Sequence, residues 1–230
     1  MSLILYIDKK MNKHIIIDLD ETIGFFKQFI IIINIVETYC NIDYNHYFEL
    51  LEDYFRPHMF DIFDFILKKK KSKDIKYVIL YSNNKNDFFV KKVIQYINKK
   101  TNSIFFDYII TYHSRRLHTY KSYDDLLYCI PDLLLNDYFL FIDDKHHKHM
   151  KHPNIVYLKY EKYIFQYTYR AIKDKLKNVL EENVTYKDSI KHKLKKYIVL
   201  ENQLPKSIHE HISQKILHSI EIFIYRTIMR

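Results

Sequence analysis

The stretch from His14 to Thr22, HIIIDLDET, decides the fold of this 230-residue chain. Its isoleucines follow one another without a polar interruption and are β-branched, which predicts a short buried strand from His14 to Leu19. The strand ends abruptly in acidic residues, among them Asp18 and Asp20. A strand that is apolar on both faces belongs in a sheet that is covered on both sides.

Four more short apolar stretches follow along the chain. They predict strands at Tyr77–Tyr81 (YVILY), Phe106–Thr111, Tyr138–Ile142 (YFLFI) and Ile155–Leu158. The intervening patterns predict helices at Tyr44–Phe55, Met59–Lys70, from the turn SNNKND through Asn98, and at Lys121–Leu135. The apolar segment Phe25–Cys40 is compatible with a helix or a strand, and its length favours a helix. Short apolar strands that alternate with helices require parallel pairing through crossover connections. The predicted fold class is therefore α/β, with a doubly wound, mainly parallel, Rossmann-like sheet.

The strand pattern stops at about Tyr160, and two or three helices are predicted beyond it, with Pro205 opening the last. One glycine and four prolines leave no flexible linker between separate domains. We therefore expect a core over residues 1–160, with a helical insertion at about residues 24–56, followed by a helical extension over residues 161–230.

Composition limits the functional classes. The formal charge of +9 would suggest a polyanionic partner, but most of the basic residues are lysines, which AT-rich codons favour. The charge thus indicates acidic or phosphorylated substrates and gives only weak support to nucleic acid. Cys40 and Cys129 are too few for a disulfide framework or a zinc site, which favours a reducing compartment.

Membrane and export signals are also missing from the sequence pattern. The apolar run Phe25–Val36 is shorter than the ~20 residues of a membrane span. The N-terminal MSLILYIDKKMNKH has no long apolar centre and no cleavage site of small residues, which argues against a signal peptide. We expect an intracellular, cytoplasmic protein with no membrane partner, and the sequence does not decide its oligomeric state.

Polar residues stand where the predicted strands end. The first strand ends in Asp18 and Asp20, the second in Ser82, and the fourth in Asp143 and Asp144. The carboxyl ends of parallel strands meet at one edge of a sheet, where ligands bind. Carboxylates gathered there repel one another unless a cation neutralises them, and Mg²⁺ is the usual ion where a phosphate supplies further oxygens.

The spacing of the first acidic pair suggests two roles. Side chains two residues apart at a strand end leave on the same side, roughly 6.5 Å apart. Asp18 can therefore attack phosphorus while Asp20 faces the leaving oxygen. The first would act as a covalent nucleophile and the second as general acid and base.

These motifs resemble the haloacid-dehalogenase superfamily, and in particular its polymerase-tail and NLI-interacting-factor-like phosphatases. The pattern is similar to theirs at DLDET (18–22), RPH (56–58), YS (81–82), YKSYD (120–124) after Arg116, IDD (142–144) and HPN (152–154). TYKSYDDL (119–126) followed by FIDD (141–144) is similar to divergent relatives in large DNA viruses, which would place the protein in the host cytoplasm.

The resemblance covers residues 13–160 and implies a Mg²⁺-dependent phosphomonoesterase acting on phosphoprotein. It makes Asp18 the nucleophile and a metal ligand, and Asp20 the general acid and base. The remaining roles that it implies are metal ligation by the Asp20 carbonyl and Asp143, and phosphate binding by Ser82 and Lys121. The neighbouring Asp144 and Asn83 are further candidates for the metal and for the phosphate. Because residues 24–56 are predicted to be helical rather than a β-hairpin flap, the substrate-selecting surface is expected to differ from that of the polymerase-tail enzymes.

Several alternatives stay open at this stage. Asp144 is equally suited to a supporting role or a helix cap, and Lys145 or Arg116 is an alternative cation to Lys121. The histidine cluster at residues 146–152 favours a solvated loop over a zinc site. At the level of function the alternatives are a nucleotide or nucleic-acid-end phosphatase, an inactive regulatory protein of the same fold, and nucleic-acid binding through the basic tail.

Overall fold

The computed structural model describes residues 11–182, 187–197 and 202–225. Within them, five parallel strands form one sheet: β1 (Lys13–Ile17), β2 (Tyr77–Tyr81), β3 (Tyr108–Ile110), β4 (Tyr138–Asp143) and β5 (Ile155–Lys159). Their order is β3-β2-β1-β4-β5. The predicted α/β class with a doubly wound, Rossmann-like parallel sheet is confirmed.

Strand β1 lies at the centre of the sheet because it pairs with β2 on one side and with β4 on the other. Ile17 is in register with Leu80 of β2 and with Ile142 of β4. The residues that follow these three strands therefore share one edge. This register brings the Asp18 and Asp143 positions to the same level, and Ser82 lies one residue further along after β2.

Nine helices are described besides two short 3-10 turns. They are α1 (Lys27–Glu37), α2 (Tyr44–Leu50), α3 (Met59–Lys71), α4 (Asp87–Thr101), α5 (Tyr123–Cys129), α6 (Tyr169–Lys175), α7 (Lys177–Glu182), α8 (Lys187–Tyr197) and α9 (Lys206–Tyr225). The first 3-10 turn, Glu52–Tyr54, follows α2. The described part of the C-terminal segment thus holds four helices, where two or three were predicted.

Alternate residues of the strands face two apolar cores. Ile15 and Ile17 pack into the larger cluster, while Ile16 packs into the smaller one on the opposite face. The larger cluster collects side chains from α1 to α4 and also from α6 to α9, whereas α5 covers the smaller cluster. The C-terminal helices therefore share the core of the sheet.

Helix α5 is much shorter than predicted. It ends at Cys129, not at Leu135. The reason is Pro131, whose ring disfavours helical geometry at Ile130. The predicted helix Tyr44–Phe55 is likewise divided, because α2 ends at Leu50 and a 3-10 turn follows.

The start of the core at residue 1 and the absence of a signal peptide were both predicted for the N-terminal segment. The first ten residues lie outside the described residues.

Among the helices of the described ranges, none combines the length and the apolar character that a membrane crossing needs.

Candidate active site

Three buried aspartates meet at the carboxyl edge of the central strands. Asp18 follows β1, and its amide donates to the carbonyl of Ile142 at 3.0 Å, which holds it beside the end of β4. Asp143 is the last residue of β4 and Asp144 follows it. One ligand atom from each of these aspartates lies within 4.8 Å of the others. The structure therefore brings together the three carboxylates that were predicted as metal ligands.

Lys121 lies between two of these carboxylates. Its Nζ donates to Oδ1 of Asp18 and, at 2.7 Å, to Oδ2 of Asp143, and its side chain is 2% exposed. The position is fixed by the next residue, Ser122, which caps α5 and donates its amide to the Tyr81 hydroxyl at 3.1 Å. Of the three cations considered from the sequence, Lys121 is thus the one in contact with Asp18.

Asp144 has a buried oxygen, Oδ1, that makes no hydrogen bond within the described ranges. Its amide donates to Oγ1 of Thr22 at 3.1 Å, so that Thr22 ties the loop after β1 to the end of β4. Asp144 caps none of the described helices, because the 3-10 turn that follows begins after His147. A buried carboxylate oxygen without a donor fits a cation ligand.

His147 contacts the site, although the sequence pattern placed it in a solvated rim loop. Its Nε2 lies 3.2 Å from Oδ2 of Asp143, and its side chain is 17% exposed. The other oxygen of Asp143, Oδ1, accepts the amide of Lys145 at 2.8 Å. Each oxygen of Asp143 therefore has a partner. The sequence did not predict this contact, because Asp143 and His147 are four residues apart in a segment that was predicted to be a loop.

Crowding and burial perturb the acidity of all three carboxyls. Burial raises the pKa of Asp18 to about 7, although Lys121 acts in the opposite direction. Burial, together with neighbouring Asp143, raises the pKa of Asp144 to about 6. Burial also acts on Asp143, but hydrogen bonds from His147 and Lys121 outweigh it and leave its pKa below the ordinary range. One ammonium does not suffice to keep three buried carboxylates charged.

Asp20 lies apart from the three clustered carboxylates and has its own partner. Asn84 donates Nδ2 to both carboxylate oxygens, at 3.2 and 2.9 Å. Burial raises the pKa of Asp20, which favours the protonated form that a general acid needs. The sequence placed Asn84 in the turn after β2, but nothing in the pattern linked it to Asp20.

The two predicted phosphate ligands after β2 differ in environment. Ser82 is fully buried, and its Oγ accepts the amide of Asn84 at 3.1 Å, so its hydroxyl proton is available to a phosphoryl oxygen. Asn83 is exposed, and its Oδ1 accepts from Nη1 of Arg116 at 2.8 Å. Arg116 thus lies at the rim, in contact with Asn83.

The buried side chain of Arg56 stabilises the loop that follows Asp20 through hydrogen bonds to its backbone. The Arg56 guanidinium donates Nε to the carbonyl of Thr22 at 2.8 Å and Nη2 to the carbonyl of Glu21 at 3.0 Å. Glu21 has a φ of 65°, in the left-handed region. Gly24 approaches the chain closely, because a Cβ there would lie 2.5 Å from the Tyr54 carbonyl oxygen.

Comparisons with protein-family models, with curated proteins and with solved structures found no match for this chain. The superfamily resemblance therefore rests on the sequence motifs.

Proposed function

We propose that this chain is a Mg²⁺-dependent phosphomonoester hydrolase of the haloacid-dehalogenase type, with Asp18 as the covalent nucleophile. The observation that carries the proposal is the cluster of Asp18, Asp143 and Asp144, with Lys121 between the first two. Such a cluster at the carboxyl edge of a parallel sheet suits an anionic substrate only when a cation is also bound.

The donor set fits Mg²⁺. Asp18, Asp143 and Asp144 offer hard oxygen ligands, and Oδ1 of Asp144 is buried without another partner in the described ranges. The resemblance adds the backbone carbonyl of Asp20. When bound, the ion would neutralise these carboxylates and polarise a phosphoryl oxygen.

In the proposed reaction, an oxygen of Asp18 bonds to phosphorus and the bond from phosphorus to the ester oxygen breaks. Asp20 gives its proton to the departing oxygen, and Asn84 orients the Asp20 carboxyl for this transfer. Asp20 then takes a proton from a water that attacks phosphorus, which releases phosphate and restores Asp18. Lys121 and Ser82 offset charge on the phosphoryl oxygens.

The proposed substrate is a phosphoprotein, as the resemblance implies. The segment between Gly24 and Arg56 supports a substrate surface different from that of the polymerase-tail enzymes, because it contains α1, α2 and a 3-10 turn. A nucleotide and a 5′-phosphorylated oligonucleotide serve as comparison substrates in the test.

Hydrolysis of p-nitrophenyl phosphate with Mg²⁺ and with a chelator tests the proposal. We expect activity that requires the metal and falls by at least about a thousandfold in Asp18→Asn, because the nucleophile is lost. Asp188→Asn is the control, since the Asp188 side chain is 99% exposed on α8. Metal-independent hydrolysis, or an Asp18→Asn variant as active as the control, contradicts the mechanism. Absence of hydrolysis on every ester favours an inactive binding protein.

A further inference from the structure

The loops that follow β2, β3 and β4 at the carboxyl edge of the sheet are strongly basic. They comprise residues 82–86, 111–122 and 144–149. Besides the buried Lys121, they contain five permanent cations: Lys85, Arg115, Arg116, Lys145 and Lys148. Their one carboxylate is that of the buried Asp144. Cations of one sign around a site create a positive potential that attracts anions.

The carboxylates that border these loops are compensated locally. Asp87 and Asp124 lie in the first turns of α4 and α5, where the helix dipole favours a negative charge. Asp125 is fully buried, and its oxygens accept two backbone amides and a tyrosine hydroxyl. Glu161, after β5, is followed directly by Lys162. The positive charge of the three loops therefore remains available to a ligand.

Arg116 is placed beside the proposed phosphate site by its contacts. Its Nη1 donates to Oδ1 of Asn83, the residue after Ser82, at 2.8 Å. The Arg116 guanidinium and the Lys121 ammonium lie 5.6 and 5.8 Å from the centroid of the Tyr81 ring. Arg116 forms no ion pair with a carboxylate of the described ranges. Its exposed charge is therefore free to pair with an anionic group of the substrate.

Lys145 lies beside the loop that follows β1. Its Nζ is 3.5 Å from Glu21 and 3.9 Å from Asp144, and its side chain is 63% exposed. Glu21 also contacts Lys27, at 3.6 Å, so two lysines share its charge. Asp144 is a proposed ligand of the metal, which would compensate its charge when bound. Lys145 is therefore also available to an external anion.

Arg116 and Lys145 stand on the two sides of Asp18 along the sheet. β2 and β4 pair with opposite sides of β1, Arg116 contacts the loop after β2, and Lys145 follows β4. The cation that contacts Asp18 is Lys121, and neither of the two outer cations forms an ion pair with Asp18 in the described structure. Both are therefore suited to groups beside the phosphate rather than to the phosphate itself.

The aromatic rings of these loops already have partners within the protein. The Tyr120 ring is stacked on those of His118 and His149, at centroid distances of 4.8 and 4.2 Å. The ammonium of Lys85 lies 4.9 Å from the centroid of the Tyr112 ring. Proteins that bind single-stranded nucleic acids instead present aromatic faces on which bases stack. The loops thus favour the carboxylates of an acidic peptide over a nucleic acid.

We propose that Arg116 and Lys145 select phosphopeptides that carry acidic residues on both sides of the phosphorylated residue. The proposal rests on the proposed function, because it places the phosphoryl group at Asp18. The Arg116 guanidinium and the Lys145 ammonium donate to carboxylates of the flanking residues. Each such exposed ion pair should raise the affinity by about two- to fivefold.

Fluorescence anisotropy of the full chain with Mg²⁺ tests the proposal. The labelled peptides carry a phosphonate analogue of phosphoserine that cannot be hydrolysed, with glutamate or the isosteric glutamine on the N-terminal side, on the C-terminal side, on both or on neither. We expect glutamates on both sides to strengthen binding by about tenfold over glutamines, since two ion pairs are formed. The advantage should shrink in about 0.5 M salt, which screens exposed charges.

Arg116→Gln and Lys145→Gln should each abolish the preference for glutamate on one side of the phosphonate, and the two variants should act on opposite sides. Lys76→Gln is the matched control, because Lys76 is exposed and precedes β2, at the other edge of the sheet. Equal affinities of the four peptides, or a loss as large in the Lys76 variant, would overturn the proposal. So would absence of peptide binding, or tighter binding of a 5′-phosphorylated oligonucleotide of the same length.

Hydrolysis of p-nitrophenyl phosphate, measured in parallel, separates this proposal from the proposed function. Metal-dependent hydrolysis together with equal peptide affinities contradicts the selection by Arg116 and Lys145 alone. A preference for glutamate that both variants remove, in a protein that hydrolyses no ester, supports the selection and contradicts the proposed catalysis.

Discussion

Replacing Lys121 with methionine tests the geometry of the carboxylate cluster directly, because it removes the ammonium and keeps most of the side-chain volume. Lys121 donates to Asp18 and to Asp143, and the three side chains are 2%, 8% and 1% exposed. In the metal-free protein, the change leaves two buried carboxylates without their cation. We expect a large loss of stability.

The magnitude follows from burial. Removing one partner of a buried ion pair costs about 3–5 kcal/mol, since the other charge remains desolvated. His147 still contacts Asp143, which limits the loss, as does protonation of Asp18. With a urea m-value of about 3 kcal/mol per molar, the unfolding midpoint falls by roughly 1–2 M. Mg²⁺ should restore part of the loss, because it binds the folded state.

The assay is urea unfolding at neutral pH, followed by circular dichroism, with a chelator and then with millimolar Mg²⁺. Lys145→Met is the matched control. Its ammonium lies 3.5 Å from Glu21 and 3.9 Å from Asp144 but is 63% exposed, so its loss should change stability by less than about 1 kcal/mol. Equal midpoints for the two variants in the chelator would refute the proposed burial of the Lys121 ion pairs.

Three further predictions concern the loops and the metal. Gly24→Ala should lower the free energy of unfolding by about 1–3 kcal/mol in chemical denaturation, because the new Cβ would lie 2.5 Å from the backbone oxygen of Tyr54. Asn84→Ala should lower kcat by about tenfold and leave KM nearly unchanged in steady-state kinetics, because Asp20 loses the amide that orients it. Mg²⁺ affinity, measured by calorimetry, should fall as the pH is lowered through about 7, since the Asp18 carboxyl takes up the proton that the ion must displace.

Each of these predictions has a result that contradicts it. An unchanged unfolding midpoint in Gly24→Ala would mean that the loop shifts without cost. Asn84→Asp keeps an acceptor for the Asn86 amide but puts a like charge beside Asp20, so an Asn84→Asp protein with normal kcat argues against the orienting role. Mg²⁺ affinity that is constant between about pH 8 and 6 would mean that Asp18 does not bind the ion.

Strands β1, β2 and β4 could be predicted from the sequence because each carries a continuous apolar run that is almost entirely buried in the parallel sheet. Tyr77–Tyr81 was predicted to the residue. Helix ends were less well predicted, since they depend on local breaks such as Pro131, which ends α5 early. β3 is shorter than predicted because pairing, not composition, limits it to Tyr108–Ile110.

Some contacts of the candidate site could also be predicted from the sequence, and others could not. The clustering of Asp18, Asp143 and Asp144 follows from strand order, because residues after adjacent parallel strands meet at one edge. The contacts of Asn84 and His147 depend on loop conformations that carry no periodic signal, so they could not be predicted from the sequence.

The balance of charge in the cluster favours a divalent ion over a monovalent one. Three ionised carboxylates and one ammonium leave two negative charges in a buried volume, where each uncompensated charge is costly. A monovalent cation would leave one of them, and the raised pKa of Asp18 indicates that a proton would then be bound there. A protonated Asp18 is a poor nucleophile, whereas a divalent ion neutralises the cluster and keeps Asp18 ionised. The proposed nucleophile and the proposed metal therefore depend on each other, and Lys121 alone does not suffice for either.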